Sequence, residues 1–155
     1  RADTVVNGLE TLSGGAVFPA SGSDWVMVHD AARPFVDPAD IRKLRDEVLS
    51  AGHGAILAMP MADTVKEASP DRRILATRDR KSLWRAATPQ AFRLSELLSA
   101  LRRGTEGVTD ESSAMERTGH PVSVVPGSTL NFKITTPDDA LIAEAIAESR
   151  LRKHP

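Results

Sequence analysis

Hydrophobic and polar positions along the chain switch repeatedly between a helical and a strand period, which is how alternating α and β elements read. Val5, Leu9 and Leu12 share one helical face, and the Gly- and Ser-rich stretch from Ser13 to Ser23 reads as a loop. Trp25 to Val28 are apolar at every position, as expected of a strand covered on both faces of its sheet. Asp37, Pro38 and Asp40 predict a helix start, with proline at the first helical position and acidic side chains at the positive end of the dipole. Ile41, Leu44 and Val48 form its buried stripe, Gly52 ends it, and Ala55 to Met59 predict a second strand.

Residues 63–87, "DTVKEASPDRRILATRDRKSLWRAA", break this rhythm: short β-like pieces flank a Ser-Pro-Asp turn, with many charges and little core material. The segment reads as a projecting β-arm within one domain spanning 1–155. Such an arm needs a partner for its apolar side, which predicts a homodimer. Further on, Leu94, Leu97, Leu98 and Leu101 mark a helix, and Thr109 is the predicted cap of a short helix reaching about Thr118. Val122–Val125 and Leu130–Ile134 read as strands, and Thr136 with Pro137 opens the last helix. The pattern as a whole predicts an α/β sandwich with a mainly parallel sheet.

Charge removes some functions from consideration. Lys and Arg total 20 against 21 Asp and Glu, so no net field calls for nucleic acid or an anionic membrane, and any anionic ligand must be held by a local cluster. The chain has no cysteine, which excludes disulfides, thiolate nucleophiles and Cys-based zinc sites and makes the cytoplasm the simplest location. No apolar run approaches a membrane span, and the amino terminus carries no signal-peptide pattern. The chain opens on Arg1 without an initiator methionine, so further sequence is expected upstream.

In "VHDAARPFV" (28–36), Asp30 falls just past a predicted buried strand. Ligands of open α/β sheets sit beyond the carboxyl ends of strands, and a carboxylate there can hold a hard cation such as magnesium over phosphate oxygens. An aspartate starting an ordinary turn is the alternative. His29 reads as structural, because no second histidine stands at ligand spacing.

"VHDAARPFV", "TPQAF" (88–92), "TDESSAME" (109–116) and "NFKITTPDD" (131–139), with "RADTVVNGL" at the start and "DTVK" at 63–66, resemble in order and spacing the 2-C-methyl-D-erythritol 4-phosphate cytidylyltransferase family. The resemblance implies transfer of CMP from CTP to 2-C-methyl-D-erythritol 4-phosphate, giving 4-diphosphocytidyl-2-C-methyl-D-erythritol and pyrophosphate. It also implies a Rossmann-like three-layer αβα fold, a protruding arm, a homodimer and Mg2+. The family's amino-terminal glycine-rich phosphate loop, with its basic residue, has no counterpart here, so the sequence is expected to be the carboxyl-terminal two thirds of such an enzyme.

Residue by residue, the resemblance implies a metal-binding and catalytic Asp30, a catalytic Lys133 at the α-phosphate, and nucleotide contacts from Thr4, Asp30, Ala31 and Arg33. It implies a methylerythritol phosphate site built from Thr64, Thr88, Thr109 and Lys133, with Arg80 reaching across the dimer. Each has a plainer alternative: capping for Thr4, pairing with Asp37 for Arg33, a strand-edge solubility device for Lys133, and a solvated charge among Arg72, Arg73, Arg78 and Lys81 for Arg80. For the other threonines it is β-propensity or capping, and Asp110 and Glu111 read better as stabilisers of a helix amino terminus than as groups that orient Thr109. No covalent nucleophile is required, since the substrate phosphate can attack CTP directly. Two other functions compete: a cytidylyltransferase for another polyol phosphate such as ribitol 5-phosphate, and a non-catalytic dimerisation domain lacking the nucleotide loop.

Overall fold

The structure is a computed structural model that describes residues 2–15, 19–104 and 107–153. Arg1, positions 16–18 of the predicted Ser13–Ser23 loop and the last two positions of the 1–155 span lie outside the described residues. In chain order the first elements are α1 (Ala2–Gly14), β1 (Trp25–Val28), α2 (Pro38–Ala51), β2 (Gly54–Pro60), β3 (Val65–Ala68) and β4 (Ile74–Arg78). A short 3-10 turn (Arg80–Ser82) follows, then β5 (Trp84–Arg93), α3 (Leu94–Arg102), α4 (Glu111–Arg117), β6 (Val122–Pro126) and α5 (Pro137–Lys153).

The main sheet has the order β1-β5-β2-β6. β5 runs antiparallel to both β1 and β2, while β6 is parallel to β2. β1, β2 and β6 therefore point the same way and β5 is the one reversed strand among them, which leaves three carboxyl ends together on one rim. Helices cover both faces. Leu9, Leu97, Leu101 and Met115 pack with Ile56 and Phe92 on one side, and Leu44 and Val48 pack with Ala55, Leu57, Met59 and Val125 on the other. The alternation along β2, with Ile56 on one face and Ala55, Leu57 and Met59 on the other, explains its unbroken apolar run: both faces are interior.

Local chemistry sets the element ends. The Asp37 carboxylate accepts from the Ala39 N–H at 2.7 Å, Pro38 follows, and Gly52 ends α2 at φ 74, in the left-handed region suited to glycine. Gly54 is required for a different reason, because a Cβ there would lie 2.2 Å from Cδ1 of the buried Phe92 ring. Asp40 does more than favour the helix dipole. It is buried, accepts from the Ser128 N–H at 2.7 Å and from Lys43 at 2.8 Å, and so ties α2 to the segment after β6.

Four predictions need correction. Leu130–Ile134 is not a strand, because its polar groups bond sideways: the Ile134 N–H reaches the Ala32 carbonyl and the Asn131 amide reaches the Thr88 carbonyl, leaving no ladder. Asp110, not Thr109, caps α4, accepting from the Ser113 N–H at 3.0 Å in a reciprocal capping box. Of the α1 stripe only Leu9 is buried, and Leu12 is exposed. β1, at the edge of the described sheet, is not covered on both faces: its residues are at most half-buried and Met27 is exposed.

Among the described residues β3 and β4 pair only with each other, and Ile74 and Leu75 on that hairpin are exposed. Trp84–Ala86, at the end of the predicted arm, instead pair with Pro60–Ala58 of β2 in the main sheet. Among the described residues no helix is long and apolar enough to cross a membrane.

Candidate active site

A cleft of about 280 Å³ opens on the rim shared by the strand carboxyl ends, lined by Asp30, Arg33, Thr88, Thr109 and Lys133 together with Ala86, Ala87, Gln90 and Asp110. Asp30 lies two residues past the end of β1. Lys133 comes from the irregular segment before α5, and its Nζ lies 3.0 Å from the Asp30 carboxylate. The lysine side chain is 41% exposed and the aspartate 18%, so the pair sits at the solvent mouth and not in the interior.

A hydrogen-bonded frame holds these groups. The Asp30 N–H donates to Thr88 Oγ1 at 2.9 Å, Arg33 donates to the Asn131 carbonyl at 2.7 Å, and Asn131 Nδ2 donates to the Thr88 carbonyl at 2.8 Å. Three separate stretches, 29–33, 88–90 and 131–134, are thereby locked to one another. Thr88 reaches this position through an irregularity in β5, where pairing jumps from Ile56–Gln90 to Ala58–Ala86. Pro89, which has no N–H for a ladder, falls in that break, and its bond to Thr88 is cis.

The second wall is built on α4. Gln90 is buried, donates to Asp110 Oδ2 at 2.8 Å and accepts from the Ser112 N–H at 2.9 Å. Burial pushes the Asp110 carboxyl up, but bonds from Gln90, the Ser113 N–H and the Ser112 and Ser113 hydroxyls outweigh it and hold its pKa below the ordinary value of 3.8. Asp110 is thus a carboxylate saturated by its own helix start.

Of the residues singled out from sequence, Asp30, Arg33, Thr88, Thr109 and Lys133 line this cleft, while Thr4, Ala31, Thr64 and Arg80 do not. Thr4 lies exposed on α1, and Arg80 donates to the Ala62 carbonyl beside the hairpin. Lys133 is not on a strand edge, so that plain explanation of it falls away. Gln90 and Asn131 were missed as parts of the frame. Their signal was a lone amide in an otherwise apolar stretch, a group that must find partners once buried.

Chemically, the cleft offers cationic Arg33 and Lys133 for phosphate oxygens and the Asp30 carboxylate for a cation. Among the described residues no group of three or more His, Cys, Asp or Glu could hold a metal ion. A single carboxylate completed by phosphate oxygens and waters is a magnesium arrangement, and Asp30 fits it.

The chain matches the family described as IspD, 2-C-methyl-D-erythritol 4-phosphate cytidylyltransferase, over residues 1–149. It is 48% identical over 151 residues to the 2-C-methyl-D-erythritol 4-phosphate cytidylyltransferase of Paraburkholderia phymatum, covering 94% of this chain and 63% of that one. It is 41% identical over 150 residues to that of Nitrosomonas eutropha, covering 97% and 64%. A solved structure of a 4-diphosphocytidyl-2C-methyl-D-erythritol synthase superposes with a TM-score of 0.84 at 38% identity, covering 94% of this chain and 66% of that one. The chain thus spans a little under two thirds of the length of these curated relatives. The three-layer fold, the rim cleft and a match across nearly all of its length lead to one conclusion: the chain belongs to the 2-C-methyl-D-erythritol 4-phosphate cytidylyltransferase family.

Proposed function

We propose that the protein transfers CMP from CTP to 2-C-methyl-D-erythritol 4-phosphate, and that the cleft of Asp30 and Lys133 is where the phosphates meet. The observation that carries this reading is the 3.0 Å approach of Lys133 Nζ to Asp30 at the mouth of one cavity. A half-exposed ion pair of this kind contributes only about 0.2–1 kcal/mol, so it opens readily to a ligand. An incoming phosphate takes the ammonium, and the Asp30 carboxylate would hold the cation that accompanies a triphosphate.

An oxygen of the substrate phosphate attacks the α-phosphorus of CTP. The new P–O bond forms as the α–β anhydride bond breaks, and pyrophosphate leaves with the bonding pair. Lys133 stabilises charge on the equatorial α-phosphate oxygens, and Arg33, braced on Asn131, faces the same anion. Such in-line displacement depends on positioning and charge neutralisation. Magnesium, when held by Asp30, supplies further neutralisation of the triphosphate charge.

Thr88 and Thr109 present hydroxyls to the methylerythritol phosphate. Thr64 and Arg80 lie outside this chain's own cleft, and their proposed role requires a second copy, docked through the hairpin that exposes Ile74 and Leu75. Thr4 and Ala31 are proposed to contact the nucleotide. The cysteine-free composition suits the cytoplasm.

The test is pyrophosphate release by the protein as expressed from its gene, supplied with CTP, magnesium and methylerythritol phosphate. Release that requires both substrates is the expected result. Release that proceeds equally with ribitol 5-phosphate, or none with either acceptor, overturns the assignment.

A further inference from the structure

We propose that His29 is a positioning residue that sets the polarity of the Thr88 hydroxyl at the cleft wall; the substrate side of this inference rests on the transferase reading above. His29 Nε2 lies 3.0 Å from the Arg33 carbonyl oxygen, and Nδ1 lies 3.0 Å from Thr88 Oγ1. A carbonyl oxygen only accepts, so the bond to Arg33 requires the proton on Nε2. In the neutral ring Nδ1 is then an acceptor, and the Thr88 hydroxyl must donate to it. The same Oγ1 accepts the Asp30 N–H at 2.9 Å.

A threonine hydroxyl has one proton and two lone pairs. With the proton directed at His29 and one lone pair taken by Asp30, Thr88 turns a single lone pair to the cleft it lines. That group accepts from a ligand hydroxyl and has nothing to donate to a phosphate oxygen. His29 thereby sorts the cleft into a corner at Thr88 that takes the polyol hydroxyls and a corner at Lys133 and Arg33 that takes the phosphate. The bond from Nε2 to Arg33 also closes the 29–33 loop, so one ring holds both the Asp30 main chain and the hydroxyl beside it.

The two ring nitrogens can be tested separately. His29→Asn places an amide oxygen near the Nδ1 position and keeps an acceptor for Thr88, whereas His29→Gln keeps a donor for the Arg33 carbonyl and loses that acceptor. His29→Gln is expected to raise KM for methylerythritol phosphate about five- to tenfold, the loss of one oriented hydrogen bond, with KM for CTP nearly unchanged. His29→Asn is expected to restore most of that loss. If Gln preserves KM and Asn does not, His29 only braces the loop and the proposal fails.

The second measurement is independent of activity: the 15N shifts of the His29 ring in the unaltered protein at alkaline pH. The Nε2-protonated tautomer is expected, with the Nδ1 resonance moving in Thr88→Val. An Nδ1-protonated ring, or an Nδ1 shift indifferent to Thr88→Val, overturns the assignment. If the tautomer is as expected but neither acceptor supports pyrophosphate release, the transferase reading has failed and the His29–Thr88 geometry stands.

Discussion

Lys133 reaches Asp30 without help from a regular element, since it follows a buried asparagine in an irregular segment. Its pair with Asp30 is too exposed to matter much for folding, so its removal separates catalysis from stability. Lys133→Ala is expected to lower kcat about 10²- to 10³-fold while stability falls by less than about 1 kcal/mol, compared by steady-state pyrophosphate release and urea unfolding. Normal turnover in this variant would remove Lys133 from the mechanism. Asp110 makes the opposite case. Its folded pKa is depressed below the ordinary 3.8, so its ionisation stabilises the protein fully above that pH and loses this contribution as pH falls below it towards the folded pKa. Asparagine caps a helix about as well as aspartate, so Asp110→Asn keeps the cap and removes the titration. Urea midpoints measured from neutral to acid pH are expected to fall less steeply below 3.8 in the variant than in the parent. At this scale the sequence was readable wherever a side chain acts alone: the strand-ending Asp30 and the capping Asp37 are found where the pattern puts them. Gln90 and Asn131 were not, because an amide's value here lies in which distant partners it meets.

Helix α5 shows how an element positions the site. Thr136 and Asp139 form reciprocal bonds at its start, the carboxylate accepting from the Thr135 and Thr136 N–H groups at 2.9 Å each and the Asp139 N–H donating to Thr136 Oγ1 at 3.2 Å. Those bonds, led by the Thr135 N–H and hydroxyl, hold the Asp139 pKa down at about 2. The cap anchors the far end of the stretch that carries Lys133. Asp139→Ala is therefore expected to depress kcat several-fold through a loosened Lys133 while leaving most of the helix intact, read by turnover beside circular dichroism. Full turnover in this variant would separate the cap from the site. On the sheet, Gly54→Ala drives a methyl into the Phe92 ring and is expected to cost about 1–3 kcal/mol, a fall in Tm of roughly 2–4 °C per kcal/mol for a chain of this size. Both ends of α2 were legible because Asp37, Pro38 and Gly52 act by local chemistry, whereas at α4 two adjacent polar residues competed and Asp110 took the cap expected of Thr109. Leu130–Ile134 misled because apolar spacing cannot tell a strand from an irregular linker whose hydrogen bonds go elsewhere.

For the whole molecule, the three parallel strands and their helical layers follow from apolar patterning, but the reversed position of β5 does not, since strand order depends on contacts far apart in sequence. The hairpin of β3 and β4 brings the proposed dimer into play. Leu75→Glu is expected to shift the protein towards monomer in sedimentation equilibrium and to raise KM for the methylerythritol substrate, as Arg80→Ala does without changing assembly. A monomeric variant with unaltered KM would detach the hairpin from the site. β5 has a consequence for how the chain is made. Among the described residues β1 bonds only to β5, which begins at Trp84, beyond the hairpin. A nascent chain that has not yet reached Trp84 therefore holds out the Trp-Val-Met-Val segment of β1 without that neighbour, an unpaired edge open to aggregation until the reversed strand emerges.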